Sequence, residues 1–164
     1  MNYIIFEDNN RHLLKPFIDL HPSFDLRAGI FTNIERIQNL ISKDDTIQLS
    51  VREDIKEIVK EKYPDFSVNP ETYNPGIFLN GSCLWNADNI SSIEGNYSYS
   101  NNNGLVAFSS NDNINSKDME DTLNEKSSVS SKIEVVSIKY LWDIFDLLNV
   151  SIQSDSELLY KYKK

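Results

Sequence analysis

Glycine and cysteine are both scarce in this sequence, and each scarcity excludes a class of site. Only one of the 164 residues is a cysteine, Cys83, so a disulfide within the chain is impossible and a cysteine-based zinc site is nearly so. Glycine occurs five times, at positions 29, 76, 81, 95 and 104, and never directly after the first apolar run. A P-loop and a G-x-G-x-x-G turn both need glycines where the backbone approaches phosphate. The sequence therefore argues against ordinary nucleoside triphosphatases and against NAD-binding dehydrogenases.

Basic charge and long apolar runs are also lacking. The formal net charge is −9 and the pI is about 4.7, which argues against a general affinity for nucleic acid or for an anionic membrane. No stretch approaches the ~18 apolar residues of a membrane helix, and the first residues lack the basic start of a signal peptide. We therefore expect a cytoplasmic protein with no nucleic-acid partner and no membrane partner, in which a local basic site can still bind phosphate.

The composition that remains is that of one folded domain. Hydrophobic residues make up 40% of the chain, which excludes wholesale disorder, and the length fits a single domain at residues 1–164. Residues 110–132 differ in kind, because their apolar residues are few among many serines, asparagines and charged side chains. Such a segment buries too little apolar surface to offset its ordering entropy. We expect a flexible polar insertion there, with a short helix near residues 119–123.

Strand and helix signals alternate along the chain. Short apolar or alternating runs predict strands at residues 3–6, 46–49, 66–68, 76–79, 105–108 and 133–138. Helical spacing of apolar residues predicts helices at residues 32–42, 50–63, 141–148 and 151–160. Thr32 and Ser50 each begin a capping box, Pro64 ends the second helix, and Trp142 and Phe145 are predicted core residues. Right-handed crossovers then imply an α/β fold with a mostly parallel, doubly wound sheet.

Ligands of such sheets bind at the carboxyl ends of the strands, which places residues 7–15 and 80–86 at the predicted site. Arg11 and Arg27 flank the irregular segment after the first strand, and a guanidinium binds phosphate through a bidentate fork. Lys15 can add a point charge. The alternative is that these cations pair with the neighbouring surface carboxylates, which are Glu7, Asp8 and Asp25.

Other residues carry weaker signals. Arg36 and Arg52 lie on predicted helices, where a solvated face is the better interpretation. His12 and His21 have only two acidic residues nearby, at positions 8 and 19, so they make a weak metal site. Cys83 lies in an apolar context and is predicted to be a buried, inert thiol.

Several segments resemble one family. The most specific is Asp25-Leu26-Arg27-Ala28-Gly29-Ile30-Phe31-Thr32, and Ile77-Phe78-Leu79-Asn80-Gly81 and Tyr140-Leu141-Trp142-Asp143-Ile144-Phe145 resemble two further markers. They are similar to the N-terminal domain of bacterial sugar-phosphate nucleotidyltransferase-like proteins. These proteins are relatives of the bifunctional N-acetylglucosamine-1-phosphate uridylyltransferase and of glucose-1-phosphate thymidylyltransferase. With the opening residues 2–8 and 11–17, and with Asn149, Ile152 and Asp155, the markers span residues 2–159, and residues 110–132 match none of them.

The resemblance implies a Rossmann-like sheet of the nucleotide-diphospho-sugar transferase type and a specific reaction. A sugar 1-phosphate would attack the α-phosphorus of a nucleoside triphosphate and release pyrophosphate with the help of Mg²⁺. By this analogy, Arg11 and Lys15 would hold the triphosphate, and Asp8 would be a surrogate metal ligand. The residues implied in binding the nucleotide or the sugar are Asp8, Arg27, Asn80 and Gly81.

The sequence also departs from the family pattern at three places. It lacks the glycine-rich loop after the first strand, Ser23 stands where active enzymes carry a lysine, and Ser82 stands where they carry a metal-binding aspartate. Two functions therefore remain open: an active sugar-phosphate nucleotidyltransferase, or a catalytically weak binding or regulatory module for nucleotide sugars or sugar phosphates. A plain scaffold domain is a third possibility. The base, the sugar and the oligomeric state stay open as well.

Overall fold

A seven-stranded sheet forms the centre of the protein. The structure, a computed structural model, describes residues 1–95 and 97–162; Asn96 and the last two residues of the predicted domain lie outside the described residues. The strands are β1 (Asn2–Phe6), β2 (Thr46–Ser50), β3 (Ser67–Val68), β4 (Thr72–Tyr73), β5 (Gly76–Asn80), β6 (Cys83–Leu84), β7 (Ser98–Asn101), β8 (Gly104–Ser110), β9 (Ile114–Asn115), β10 (Ser131–Lys132) and β11 (Val136–Ser137). The α-helices are α1 (Asn33–Leu40), α2 (Lys56–Lys62), α3 (Ala87–Ser91), α4 (Met119–Ser128) and α5 (Asp143–Tyr162).

The central sheet is mostly parallel, as predicted. Its strand order is β10-β7-β8-β5-β1-β2-β3, and only β8 runs antiparallel to its neighbours. Phe6 at the end of β1 pairs with Ser50 of β2 on one side and with Asn80 of β5 on the other. The carboxyl ends of these three strands are therefore level, and the residues that follow them meet at one edge.

Side chains alternate between the two faces of β1, and each face is covered by helices. Ile5 belongs to a core that includes Ile34 and Ile37 of α1 and Val59 of α2. Ile4 and Phe6 belong to the opposite core, which includes Met119 and Leu123 of α4. This arrangement confirms the predicted doubly wound α/β fold.

The helix predictions are right at α1 and wrong in detail elsewhere. Thr32 and Glu35 form the predicted capping box at α1. The second capping box is wrong because Ser50 is paired with Phe6 in the sheet, so its backbone is extended; a 3-10 turn at Glu53–Ile55 precedes α2 instead. The two predicted C-terminal helices are one continuous helix, α5. Of the predicted strand at 133–138, only β11 at Val136–Ser137 is a strand, and β10 lies just before the predicted range.

Trp142 and Phe145 are not core residues. They are 62% and 79% exposed. The side of α5 that faces the protein is formed by other residues, namely Ile144, Leu147, Ser151, Asp155 and Leu158, and Phe145 projects away from that side. Hydrophobicity alone did not distinguish the two sides of this helix.

The polar segment 110–132 contains more structure than predicted. It includes the ten-residue helix α4, whose Met119 and Leu123 are buried against Phe78 and Phe108 of the sheet. Its mobility stays a prediction. Across the described part of the chain, no helix combines the length and the apolar character needed to cross a bilayer.

Candidate functional site

Two depressions meet at the carboxyl edge of the sheet. The first, which we call the crevice, is narrow and runs over the ends of β5 and β7 and the start of β8. The second, which we call the cleft, lies between the ends of β1 and β2 and helix α4, and it has a volume of about 420 Å³. Arg11 lines both depressions. The region after β1 and β5, where the sequence predicts the site, therefore contains two adjoining recesses.

Arg11 differs from the other arginines in its partners. Its guanidinium donates one hydrogen bond, 2.9 Å long, to the carbonyl oxygen of Asp8. Arg27 contacts Glu35, whereas Arg36 and Arg52 contact buried carboxylates. Within the described part of the chain, no carboxylate lies within ion-pair distance of Arg11. The alternative that Arg11 serves only in a surface ion pair is thus not supported by a contact.

Asp8 and Asn80 join the ends of β1 and β5. The Asp8 carboxylate accepts hydrogen bonds from Asn80 Nδ2 at 2.9 Å and from the backbone amide of Asn10 at 3.1 Å. Asn80 Oδ1 in turn accepts from the amide and the hydroxyl of Ser82. Burial raises the pKa of Asp8, and the hydrogen bonds from Asn80 and Asn10 oppose that rise. The amide group of Asn80 is fully engaged, so this residue positions Asp8 and Ser82.

A second acidic residue, Glu7, is buried beside Arg52. Its carboxylate accepts from Arg52 Nη1 at 3.1 Å and from the backbone amide of Ser23 at 2.9 Å. Arg52 also contacts Asp54 and the carbonyl oxygen of Ile18. Burial raises the pKa of Glu7, whereas the adjacent Arg52 lowers it. The predicted solvated role of Arg52 is wrong because this pair ties the ends of β1 and β2 to the long loop between β1 and α1.

Arg36 is also buried, contrary to the prediction of a solvated face. Its side chain is 2% exposed, and it pairs with Asp155 of α5 at 2.8 Å. It faces inward because α5 packs across the start of α1 and brings a buried carboxylate to it. Arg36 is therefore a structural residue.

Three further candidates lie outside the two depressions. Lys15 is exposed and lies 3.8 Å from Asp19, and Arg27 is exposed beside Glu35. Neither lines the crevice or the cleft. Gly81 is buried under Phe24, and a Cβ atom at this position would lie 2.8 Å from the Cβ of Phe24. Glycine at this position is thus explained by close packing.

The described residues show no preformed magnesium site, and the role of Asp8 as a surrogate metal ligand stays a prediction. Mg²⁺ is typically bound by one or two carboxylates together with substrate phosphates. Asp8 is the only carboxylate among the described residues that line the crevice, and both of its oxygens already accept hydrogen bonds. No group of three His, Cys, Asp or Glu side chains that could hold a metal ion occurs in the described ranges. The steps proposed below therefore do not run through a metal.

The histidines and the cysteine do not belong to the site. His12 contacts the carbonyl oxygen of Asn9, and His21 stacks on Phe17 with ring centroids 5.0 Å apart. Cys83 is completely buried in β6, and burial raises the pKa of its thiol. The prediction of a buried Cys83 is confirmed.

Two lysines line the depressions and were not among the sequence candidates. Lys139 lines the crevice and Lys117 lines the cleft. From the sequence, we expected ligand-binding residues directly after β1 and β5. Neither lysine follows one of these strands, so neither was predicted. Asn101 at the end of β7 and Asn103 in the turn that follows also line the crevice.

A mostly parallel seven-stranded sheet with flanking helices and a polar site at its carboxyl edge defines a Rossmann-like α/β domain. The chain belongs to the sugar nucleotidyl transferase family, whose sequence model matches residues 3–164. This match confirms the resemblance seen in the sequence. A comparison with curated proteins found no significant match.

Proposed function

We propose that this domain binds a nucleoside triphosphate and a sugar 1-phosphate at the carboxyl edge of the sheet and transfers the nucleotidyl group between them. A phosphate oxygen of the sugar 1-phosphate forms a bond to the α-phosphorus. The bond from the α-phosphorus to the bridging oxygen breaks, and pyrophosphate leaves with the electron pair. Family membership supports this reaction class.

The two depressions suit the two substrates. The cleft, with its volume of about 420 Å³, falls in the usual range of ~300–1,000 Å³ for small-molecule sites and can take the nucleotide. The crevice is lined by amide and hydroxyl groups that suit an oxygen of the phosphate group of the sugar 1-phosphate, whose ring would lie outside it. Nucleotide and sugar would then meet at the boundary between the depressions.

Arg11 at that boundary is the observation that carries the proposal. It lines both depressions, and its guanidinium forms no ion pair within 4 Å among the described residues, although its charge lowers the pKa values of Asp8 and Glu7. A guanidinium there can hold a phosphate group of either substrate through charge-assisted hydrogen bonds and stabilise charge that develops during transfer. The negative charge of Glu7 repels a phosphate at Arg11 only weakly, because Arg52 forms an ion pair with Glu7.

A second candidate function is a binding module that does not turn its ligands over. The specific observation that favours it is Ser82, which stands at the family's aspartate position and bonds to Asn80. Without a second carboxylate beside Asp8, the domain would keep its ligands and lack efficient transfer.

Thermal shift and pyrophosphate release distinguish these functions. Nucleoside triphosphates and sugar 1-phosphates are tested separately and together, with and without Mg²⁺. A ligand at 100 times its Kd should stabilise the fold by about 2.7 kcal/mol. Stabilisation with pyrophosphate release supports transfer, stabilisation without release supports the binding module, and the absence of both contradicts the proposal.

The replacement Arg11→Ala should weaken phosphate-ligand binding by roughly tenfold to a hundredfold, because each charge-assisted bond is worth about 1.5–3 kcal/mol. Arg27→Ala is the matched control, since Arg27 is exposed outside both depressions. Calorimetric titration measures the affinity, and thermal melts measure the stability. An Arg11→Ala protein that melts lower yet binds like the wild type would show that Arg11 is structural.

A further inference from the structure

Lys139 is held at the crevice by its backbone. The preceding residue, Ile138, donates its amide to the carbonyl oxygen of Ser82 at 2.9 Å, which ties this segment to the region just after β5. The amides of Lys139 and Tyr140 both donate to Asp143 Oδ2 at 2.8 Å. The position of Lys139 beside the end of β5 is thus fixed from both sides.

The side chain of Lys139 has no acidic partner within the part of the chain that the structure describes. Its Nζ lies 5.5 Å from the centre of the Tyr140 ring, a distance typical of a cation–π contact. Arg11 lines the same crevice and also lacks a carboxylate within ion-pair distance. Two cationic residues and one acidic residue, Asp8, therefore line the crevice.

The crevice also offers a hydroxyl donor. The hydroxyl oxygen of Ser137 accepts from the side-chain amides of Asn101 and Asn103, at 3.0 and 2.9 Å. Both neighbours are donors, so the hydroxyl hydrogen is free to point to a third group; no acceptor for it occurs among the described residues. An anion at this point would receive that hydrogen.

Size decides which part of a ligand enters. The crevice has a volume of about 10 Å³, room for about one water molecule. It can receive an oxygen of a phosphate group, whereas a sugar ring has to remain at its mouth.

From these contacts we infer that Lys139 is a phosphate-binding residue that, together with Arg11 and the hydroxyl of Ser137, binds the phosphate group of a sugar 1-phosphate. The inference rests on the proposed function, which places the sugar phosphate on this side of Arg11. It adds a cation that neither the β1 loop nor the family markers supply. Lys139 holds the attacking phosphate from the side opposite the cleft, so the nucleotide can be bound without it.

NMR titration of ¹⁵N-labelled protein with inorganic phosphate and with glucose 1-phosphate tests this inference, because it reports both affinity and position. In the wild type, both probes should shift the amide signals of residues 11, 137 and 139. Lys139→Gln should lower the affinity for both probes by about tenfold, and Lys139→Arg should keep most of the wild-type affinity. Ser137→Ala should weaken them by about twofold to tenfold, because it removes one neutral donor.

The control variant is Lys43→Gln, which makes the same change of charge. Lys43 is exposed and precedes β2, at the opposite edge of the sheet. The Lys43→Gln protein should bind both probes with the affinity of the wild type. Thermal melts of all variants verify that they are folded.

Nucleoside triphosphate binding separates this inference from the proposed function. Lys139→Gln should bind the triphosphate with an affinity within about twofold of the wild-type value, because the cleft lies on the other side of Arg11. If the wild type and Lys139→Gln bind glucose 1-phosphate with equal affinity, the inference is overturned and the proposed function stands. The same holds if Lys139→Gln loses affinity equally for glucose 1-phosphate and for the nucleoside triphosphate. A wild type that binds neither ligand overturns both. Binding of glucose 1-phosphate that depends on Lys139, without pyrophosphate release, upholds the inference and overturns transfer.

Discussion

Asp155 on α5 is a fully buried carboxylate that binds both a charged side chain and the backbone. It accepts hydrogen bonds from Arg36 Nε at 2.8 Å and from the backbone amides of Ile30 and Phe31 at 2.9 and 3.2 Å. Gly29 lies against it with φ of +113°, and a Cβ atom there would be 2.6 Å from Asp155 Oδ2. This one carboxylate therefore joins α5 to α1 and to the loop that precedes α1.

Asp155→Ala should destabilise the protein by roughly 3–5 kcal/mol, because it leaves the Arg36 charge buried without a partner. Asp155→Asn should cost less, since it keeps an acceptor for the backbone amides. Arg27→Ala is the control at an exposed pair and should cost less than about 1 kcal/mol. Urea unfolding measures the three values. A cost for Asp155→Ala as small as that for Arg27→Ala would mean that the pair adds little to stability.

The sequence contained Arg36 and Asp155 but no signal of their pairing. A charged side chain on an amphipathic helix is usually solvated, and the partner of Arg36 lies 119 positions away in the chain. The role of Arg36 depends on how α5 packs on α1, which local spacing does not encode. The pairing of Glu7 with Arg52 was missed for the same reason, since these residues follow two strands, β1 and β2, that only the fold brings together.

Helix α4 is attached to the sheet by few apolar contacts. Met119 and Leu123 are its two buried residues, and most of the remaining helix surface is exposed. A helix with so little buried surface opens at low free-energy cost. The helix also forms one wall of the cleft, so its opening would change access to the proposed nucleotide site.

Limited proteolysis with trypsin should cut residues 110–132 first. The two fragments should stay associated, because β10 and β11 after the cut still pair with β7 and β6 before it. Leu123→Ala should speed the cut, since truncating a buried leucine costs about 2–5 kcal/mol in a core. Asp121→Ala, an exposed position on the same helix, should leave the rate unchanged. Initial cleavage within residues 32–62 would contradict this prediction.

Elements with strong local signals were predictable, and elements that depend on tertiary packing were not. The apolar run of β1 and the capping box of α1 are complete within a few residues, and both are present in the structure. α4 extends beyond its predicted bounds because two contacts with the sheet stabilise a polar sequence. The exposed Phe145 on α5 shows the converse, an apolar residue that packing leaves in solvent.

At the scale of the molecule, the fold collects polar groups at one edge of the sheet. The ends of β1 and β5 could be placed together from the sequence, and Asp8, Arg11 and Asn80 do lie together there. Lys15 could not be excluded in advance, because the 3-10 turns of the β1 loop leave it facing solvent. Lys139 could not be included, because it reaches the crevice through the pairing of β11 with β6.

The two buried acids at this edge, Glu7 and Asp8, predict how the stability of the protein depends on pH. Burial raises the pKa of Glu7 and of Asp8 above their ordinary values of 4.5 and 3.8. In the range just above those values, the folded protein binds more protons than the unfolded chain. The contribution of these two acids to the free energy of unfolding therefore falls as the pH rises through that range. Glu35 and Asp45 have lowered pKa values, so the stability they add is lost only as the pH falls below their ordinary values.

Asp8→Asn removes one of the two raised acids and keeps a side chain of the same shape. We compare the free energy of unfolding of the variant with that of the wild type. The difference should favour the variant more at about pH 7.5 than at about pH 5, because only the wild type carries a buried charge at the higher pH. Asp65→Asn, at an exposed position, should show the same difference at both values. Urea unfolding at the two pH values measures the free energies. An equal difference at both values for Asp8→Asn would mean that Asp8 titrates alike in the folded and unfolded chains, and would contradict the raised pKa of its buried carboxylate.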